Sequence, residues 1–144
     1  MTTSTIQLEQ DRLAKLLTTG LISGIIAAGV NICYMLLYQS ATGFSMEKYI
    51  NILNVSIASI IPGVFCGLIY FSLRRTLPKS SFNLYLSIVI IGAILSFWAP
   101  LSNQLPDGSA MPPEFAGLAM PMHILAPIIY LVMTIRSVPA IKTQ

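Results

Sequence analysis

Long apolar runs separated by short charged stretches dominate this chain. Four segments contain no Asp, Glu, Lys or Arg: 16–46, 49–73, 80–106 and 115–135. The shortest has 21 residues, and about 20 apolar residues in a helix cross the hydrocarbon core of a bilayer. The runs are continuously apolar rather than alternating at every second residue, which selects helices over a membrane barrel. The expected fold class is therefore all-α, an integral membrane four-helix bundle in a single domain, 1–144, with spans near 16–38, 49–73, 82–104 and 115–136. Ser45 is expected to cap the second helix, with Glu47 in its first turn. Pro112-Pro113-Glu114 suits the first turn of the fourth helix. The segment 105–114 reads as a loop, and MTTSTIQ at 1–7 as a frayed tail.

Composition sharpens the picture. Of 144 residues, 55% are apolar and only 9% charged, with a mean hydropathy of +0.77. A soluble domain carries about 25% charged residues, and a disordered chain is poor in apolar ones. Both classes are excluded. The first apolar stretch is longer than a signal-peptide core and no small-residue cleavage site follows it, so a retained span is expected.

Orientation follows from the basic residues in the loops. Arg12, Lys15, Arg74, Arg75, Lys79, Arg136 and Lys142 fall on one side and Lys48 alone on the other. That bias predicts both termini in the cytoplasm (N-in, C-in) and opposes a dual-topology transporter. The net charge of +3 is then a product of topology and implies no nucleic-acid partner.

Small residues mark candidate packing faces, because spanning helices associate by close approach and interhelical hydrogen bonds. Gly20, Gly24 and Ala28 form one stripe that Asn31 extends. Ser56, Ser59, Gly63 and Gly67 form a second, and Gly92 with Ser96 a third. These stripes point to a tight bundle, a homo-oligomer or a complex with another membrane protein. Taking span midpoints as the bilayer centre, Asn31 lies about 6 Å, Asn54 about 10 Å, Trp98 about 7 Å and His123 about 3 Å toward the outer side. These four are the ligand-pocket candidates. Tyr38 and Tyr49 fit an aromatic belt at the outer headgroups.

Pro62, Pro121 and Pro127 are candidate helix kinks, and each frees a carbonyl four residues earlier: those of Ala58, Gly117 and His123. Broken helices at membrane depth often line a cavity or an ion path. A neutral His123 bonded to a neighbouring amide would serve structure alone.

Catalytic chemistry is thin. There is no nucleophile elbow, no phosphate-binding loop and no pair of embedded carboxylates. One histidine and two cysteines cannot build a usual zinc site. Cys33 and Cys66 lie about 16 Å apart along the membrane normal, whereas a disulfide needs Cα atoms within about 7 Å. The expectation is a non-enzyme with no cofactor and no metal, in contact with the lipid bilayer. It would be an accessory or interaction subunit, or a binder of a small apolar or lipid-like ligand in an outer-side pocket. The alternative is a small transport or proton-coupled element using His123. A lipid-modifying enzyme using Asp107, Glu114 or His123 comes third.

Two further segments, Phe97-Trp98-Ala99-Pro100-Leu101 and Leu118-Ala119-Met120-Pro121-Met122-His123, together with the four-span layout, resemble an uncharacterised family of small bacterial four-span membrane proteins. In that family a Met-His or similar pair opens the middle of the last helix. The resemblance implies an inner-membrane location and the span count, lends no activity, and singles out His123.

Overall fold

The computed structural model describes residues 3–137 apart from 103 and 106. Helix α1 runs over Thr3–Thr42, α2 over Ile52–Thr76, α3 over Ser81–Ser96, the single turn α4 over Trp98–Leu101, and α5 over Pro113–Ser137. With α3 and α4 taken together as Ser81–Leu101, four helices among the described residues are long and apolar enough to cross a membrane. Their outward faces carry exposed Leu37, Leu53, Ile94, Leu95 and Ile128, as a lipid solvent requires.

Local chemistry sets the helix ends. Gly43 follows α1 with φ of 71°, a conformation that glycine adopts without strain, and its N–H closes on the Gln39 carbonyl at 2.9 Å. Asn51, not Ser45, caps α2: its side chain accepts from the Asn54 N–H at 2.9 Å. Asn51 also donates to the Glu47 carbonyl at 2.9 Å, so residues 47–50 form a turn and the helix starts three residues later than the charge gap suggests. Arg74 and Arg75 lie in the last turn of α2, Glu114 in the first turn of α5 and Arg136 in its last, each favourable to the helix dipole. The expected frayed tail is also corrected, since Thr3–Gln7 already belong to α1. At 40 residues that helix is about 60 Å long, twice the hydrocarbon thickness.

Helices α1 and α2 meet backbone to backbone. A Cβ built on Gly63 would lie 2.7 Å from the Gly20 carbonyl oxygen and 2.8 Å from Gly24 Cα, and one on Gly24 2.7 Å from Ile60 Cα. Only glycine permits this approach. Helix α5 packs on the other side of α1. Tyr34 of α1 donates to the Gly117 carbonyl at 2.6 Å, the very group that Pro121 deprives of its helical partner. Tyr38 donates to the Glu114 carbonyl at 3.0 Å. These two tyrosines tie helices together where a lipid-facing belt was one expectation for Tyr38.

Three clusters make the core. At the end where α1 begins and α5 ends, Leu16, Tyr70, Tyr85 and Val89 join α1, α2 and α3, with Tyr70 and Tyr85 edge to face at 5.0 Å and the Tyr85 and Thr134 hydroxyls 3.0 Å apart. Midway, Ala27 packs on Ala126 and Tyr130. At the opposite end Met35, Val55, Leu118 and Met122 join α1, α2 and α5 without α3. Helix α3 is thus seated at one end only, and the third small-residue stripe does not pack: a Cβ on Gly92 would meet nothing within 4 Å.

The two kinds of glycine should separate cleanly. Gly63→Ala is expected to cost about 1–3 kcal/mol by overpacking the α1–α2 contact. Gly92→Ala should leave stability unchanged or raise it by up to about 1 kcal/mol, since it removes only backbone freedom in the unfolded chain. Thermal unfolding in detergent reads both, and a Gly63→Ala protein as stable as the parent would show that this contact does not hold the bundle.

Candidate functional site

The gap left beside α3 is a partly open cleft of about 1000 Å³ between α2, α3 and α5. Its α2 wall is Val55, Ala58, Ser59, Pro62, Phe65, Cys66 and Ile69, an i, i+3, i+4 stripe. Its α3 wall comprises Ile88, Val89, Gly92, Ala93 and Ser96, and its α5 wall includes Ala119, Met122, His123, Ala126, Pro127 and Tyr130. Asn31 of α1 shows at the floor, behind α2. Ala58, Phe65, Ile88 and Gly92 are exposed whereas no α5 lining residue is, so the cleft opens sideways between α2 and α3. Among the described residues, none that lines the cleft is Asp, Glu, Lys or Arg.

Three of the four residues singled out in the sequence converge here. Asn31, Asn54 and His123 all line the cleft. Asn31 is 3% exposed, its Nδ2 donates to Ser59 Oγ at 3.2 Å, and its Oδ1 has no partner. Asn54 instead donates to the Tyr49 carbonyl at 3.0 Å, helping to hold the turn before α2. His123 is half-buried, and among the described residues no hydrogen bond reaches its ring. Trp98 is not part of the cleft. The helix breaks at Phe97, which turns the indole of α4 outward to 81% exposure. The ring that reaches the imidazole is that of Phe97, 6.2 Å between centroids and tilted by 58°.

The kink candidates divide in the same way. Pro62 and Pro127 lie on the cleft wall and Pro121 does not, while all three sit inside helices that continue through them. The carbonyl freed by Pro121 is capped by Tyr34. Among the described residues no side chain donates to the carbonyls of Ala58 or His123, which belong to residues on the cleft wall.

Sequence reasoning missed Ser59 and Tyr130 as a linked pair. Ser59 takes the Asn31 amide on its hydroxyl and the Tyr130 hydroxyl on its carbonyl at 2.6 Å, so one residue joins α1, α2 and α5. The small-residue stripe placed Ser59 on a packing face. Nothing in the one-dimensional pattern told which tyrosine would reach it. Cys66 lines the cleft and Cys33 is exposed on α1, both as free thiols.

At the end where α1 finishes and α5 begins, two loops border the cleft and contribute Tyr49, Ile50, Ser102, Gln104 and Leu105. Asp107 pins them. Its Oδ1 accepts from the Ser109 hydroxyl at 2.6 Å and the Ser109 N–H at 3.1 Å. Its Oδ2 accepts from the Tyr49 hydroxyl and from Lys48 Nζ, the latter at 2.9 Å. The Ser109 hydroxyl first, then Tyr49 and Lys48, hold the Asp107 carboxyl well below the ordinary carboxylate range. Hydrogen bonding to Asp107, then to Tyr49, pushes the Lys48 ammonium up. A carboxylate so satisfied is a weak base, and it ties the two loops to each other over one end of the cleft.

Fold and cleft together define a class: a four-helix bundle with the makeup of an integral membrane protein and a side-opening, uncharged cavity within it. No family model, no curated protein and no solved structure matches the chain.

The loop contact should show a defined pH signature. A carboxyl depressed on folding adds stability that is complete above its ordinary value near 3.9 and fades as pH falls below it. A raised lysine adds stability that is complete below about 10.4 and fades above. The melting-temperature gap between the parent and Asp107→Asn should therefore be flat from about pH 5 to about pH 10 and close in acid. A gap that persists unchanged at pH 2–3, an acid range far below the ordinary carboxyl value, would show that charge on Asp107 does not hold the loops.

Proposed function

We propose that this is a non-enzymatic inner-membrane protein of bacterial type that holds a small apolar or lipid-like ligand in the α2–α3–α5 cleft. The observation that carries the reading is the convergence of Asn31, Asn54 and His123 on one uncharged cavity of about 1000 Å³. A volume of that size fits a drug-sized or single-chain lipid molecule, and a mostly apolar wall with a few placed polar groups is the usual build of a small-molecule site. Among the described residues no Asp, Glu, Lys or Arg lines the cleft, which leaves His123, Cys66, Tyr49 and Tyr130 as its titratable groups, a thin set for acid–base turnover that favours binding. Arg12, Lys15, Arg74, Arg75, Lys79 and Arg136 at the end where α1 begins and α5 ends, against Lys48 alone at the other, support placing that end in the cytoplasm and the loop end outside. The bacterial inner-membrane location rests on the resemblance of the four-span layout.

A second reading draws on the same opening. Exposed Phe65, Ile88 and Gly92 could meet a helix of another membrane protein, which would make the chain an accessory subunit.

Native mass spectrometry of protein gently extracted from its own membrane distinguishes the two. The ligand reading expects a stoichiometric small molecule in the parent, lost in Gly92→Phe, where the added ring fills the cleft. It should be retained in Gly29→Phe, where an added Cβ also meets nothing within 4 Å but outside the cleft. His123→Ala should fold and lose most of the ligand. Equal small-molecule content in the parent and in Gly92→Phe would reject the ligand reading, and a co-purifying membrane protein lost only in Gly92→Phe would replace it with the subunit one.

A further inference from the structure

The cleft changes character along its length. Its α2 wall runs from Asn54 to Ile69, about 22 Å of helix, so the cleft stands along the membrane normal through most of a hydrocarbon core of about 30 Å. Packing sets the levels of the facing walls. Met122 of α5 clusters with Val55 near the loops, and Cys66 packs against Ala126 and Tyr130 farther down. In the loop half the lining residues include Asn54, Ser96, Ser102, Gln104 and His123. The ring of His123 is half-buried, and no hydrogen bond reaches it among the described residues. A neutral imidazole presents one N–H and one bare nitrogen, so a head group can accept from it or donate to it.

Beyond Pro62 the wall is Phe65, Cys66, Ile69, Ile88 and Val89, and the Tyr130 hydroxyl at that level is spent on the Ser59 carbonyl. That end is also closed. Val89 lines the cleft and belongs to the cluster of Leu16, Tyr70 and Tyr85, against which Cys66 and Ile69 pack. The ring contact of Tyr70 with Tyr85 joins α2 to α3, and the paired hydroxyls of Tyr85 and Thr134 join α3 to α5. A polar head at the closed end would lose its hydration with no partner to replace it, whereas a hydrocarbon tip bears no such cost. With no Asp, Glu, Lys or Arg lining the cleft among the described residues, an ionised head gains no counter-ion at either end. We infer that the cleft holds an uncharged single-chain amphiphile lengthwise, its head beside His123 and the loops and its chain end against Cys66, Ile69 and Val89. This rests on the reading of the cleft as a ligand site, and adds which way the ligand lies and which leaflet supplies it, the one at the loop end.

The test uses the full chain in phosphatidylcholine nanodiscs and two photoreactive forms of monopalmitoylglycerol, one with a diazirine at the chain end and one with it beside the ester. Mass spectrometry then locates the label on Cys66, His123 and Tyr130, none of which is exposed to the surrounding lipid. The chain-end probe is expected on Cys66 and Tyr130, and the ester-side probe on His123. Both labels should be lost with excess unlabelled monopalmitoylglycerol and in Gly92→Phe. The parent alone decides the orientation, so the inference stays testable if that variant fails to fold. A reversed pattern, or the same residues labelled by both probes, overturns the inference while competed labelling keeps the cleft as a ligand site. Labelling of these three residues that is absent, or that excess unlabelled lipid does not reduce, overturns the ligand site and the inference with it.

Discussion

The close approach of α1 and α2 through Gly20, Gly24, Gly63 and Gly67 is the constraint on which the rest of the bundle depends. In lipid no hydrophobic force drives helices together, so packing density and hydrogen bonds must do it. With the two backbones in contact, Asn31 comes within reach of Ser59, and the paired helices present one surface to α5. Ser59 then receives Tyr130 on its carbonyl. The polar floor of the cleft is thus a by-product of the glycine contact, and any side chain that wedged α1 from α2 would dismantle both.

Helix α5 shows how a spanning helix tolerates prolines. Each of Pro121 and Pro127 removes a backbone donor, yet the helix runs unbroken over Pro113–Ser137. At Pro121 the orphaned carbonyl is supplied by a phenol from the neighbouring helix. At Pro127 no such donor reaches it among the described residues, and the wall there faces the cleft. Proline in the backbone is therefore a packing element at one position, and six residues on it leaves a carbonyl that no described side chain caps.

Much of the architecture was legible in the chain, because a charge-free run of spanning length has few physical alternatives. The four spans, and the glycine faces of α1 and α2, could be read from spacing alone. Helix starts were less legible. Ser45 and Asn51 are both good caps, and the choice between them is made by the Glu47 carbonyl and Asn54 N–H that Asn51 engages. The third small-residue stripe reads like the other two but lines empty space, since a face packs only when another face is delivered to it. Trp98 was placed by depth, which is a one-dimensional quantity. Its direction is set by the break at Phe97, a change of helix phase that depth does not record. His123, Asn31 and Asn54 share a cavity because their helices are neighbours, and adjacency was not in the spacing.

The loops bordering the cleft and the opening between α2 and α3 have a joint effect on supply. Residues 48, 49, 107 and 109 bind the loops together, while the opening between α2 and α3 is apolar. On the proposed ligand reading, a molecule that enters between α2 and α3 dissolves first in the bilayer. The relevant concentration is then a mole fraction in a two-dimensional solvent, raised over the aqueous one by the molecule's partition coefficient. A weak contact with the cleft wall would then suffice for occupancy, and the membrane's own solubility would select before the protein did.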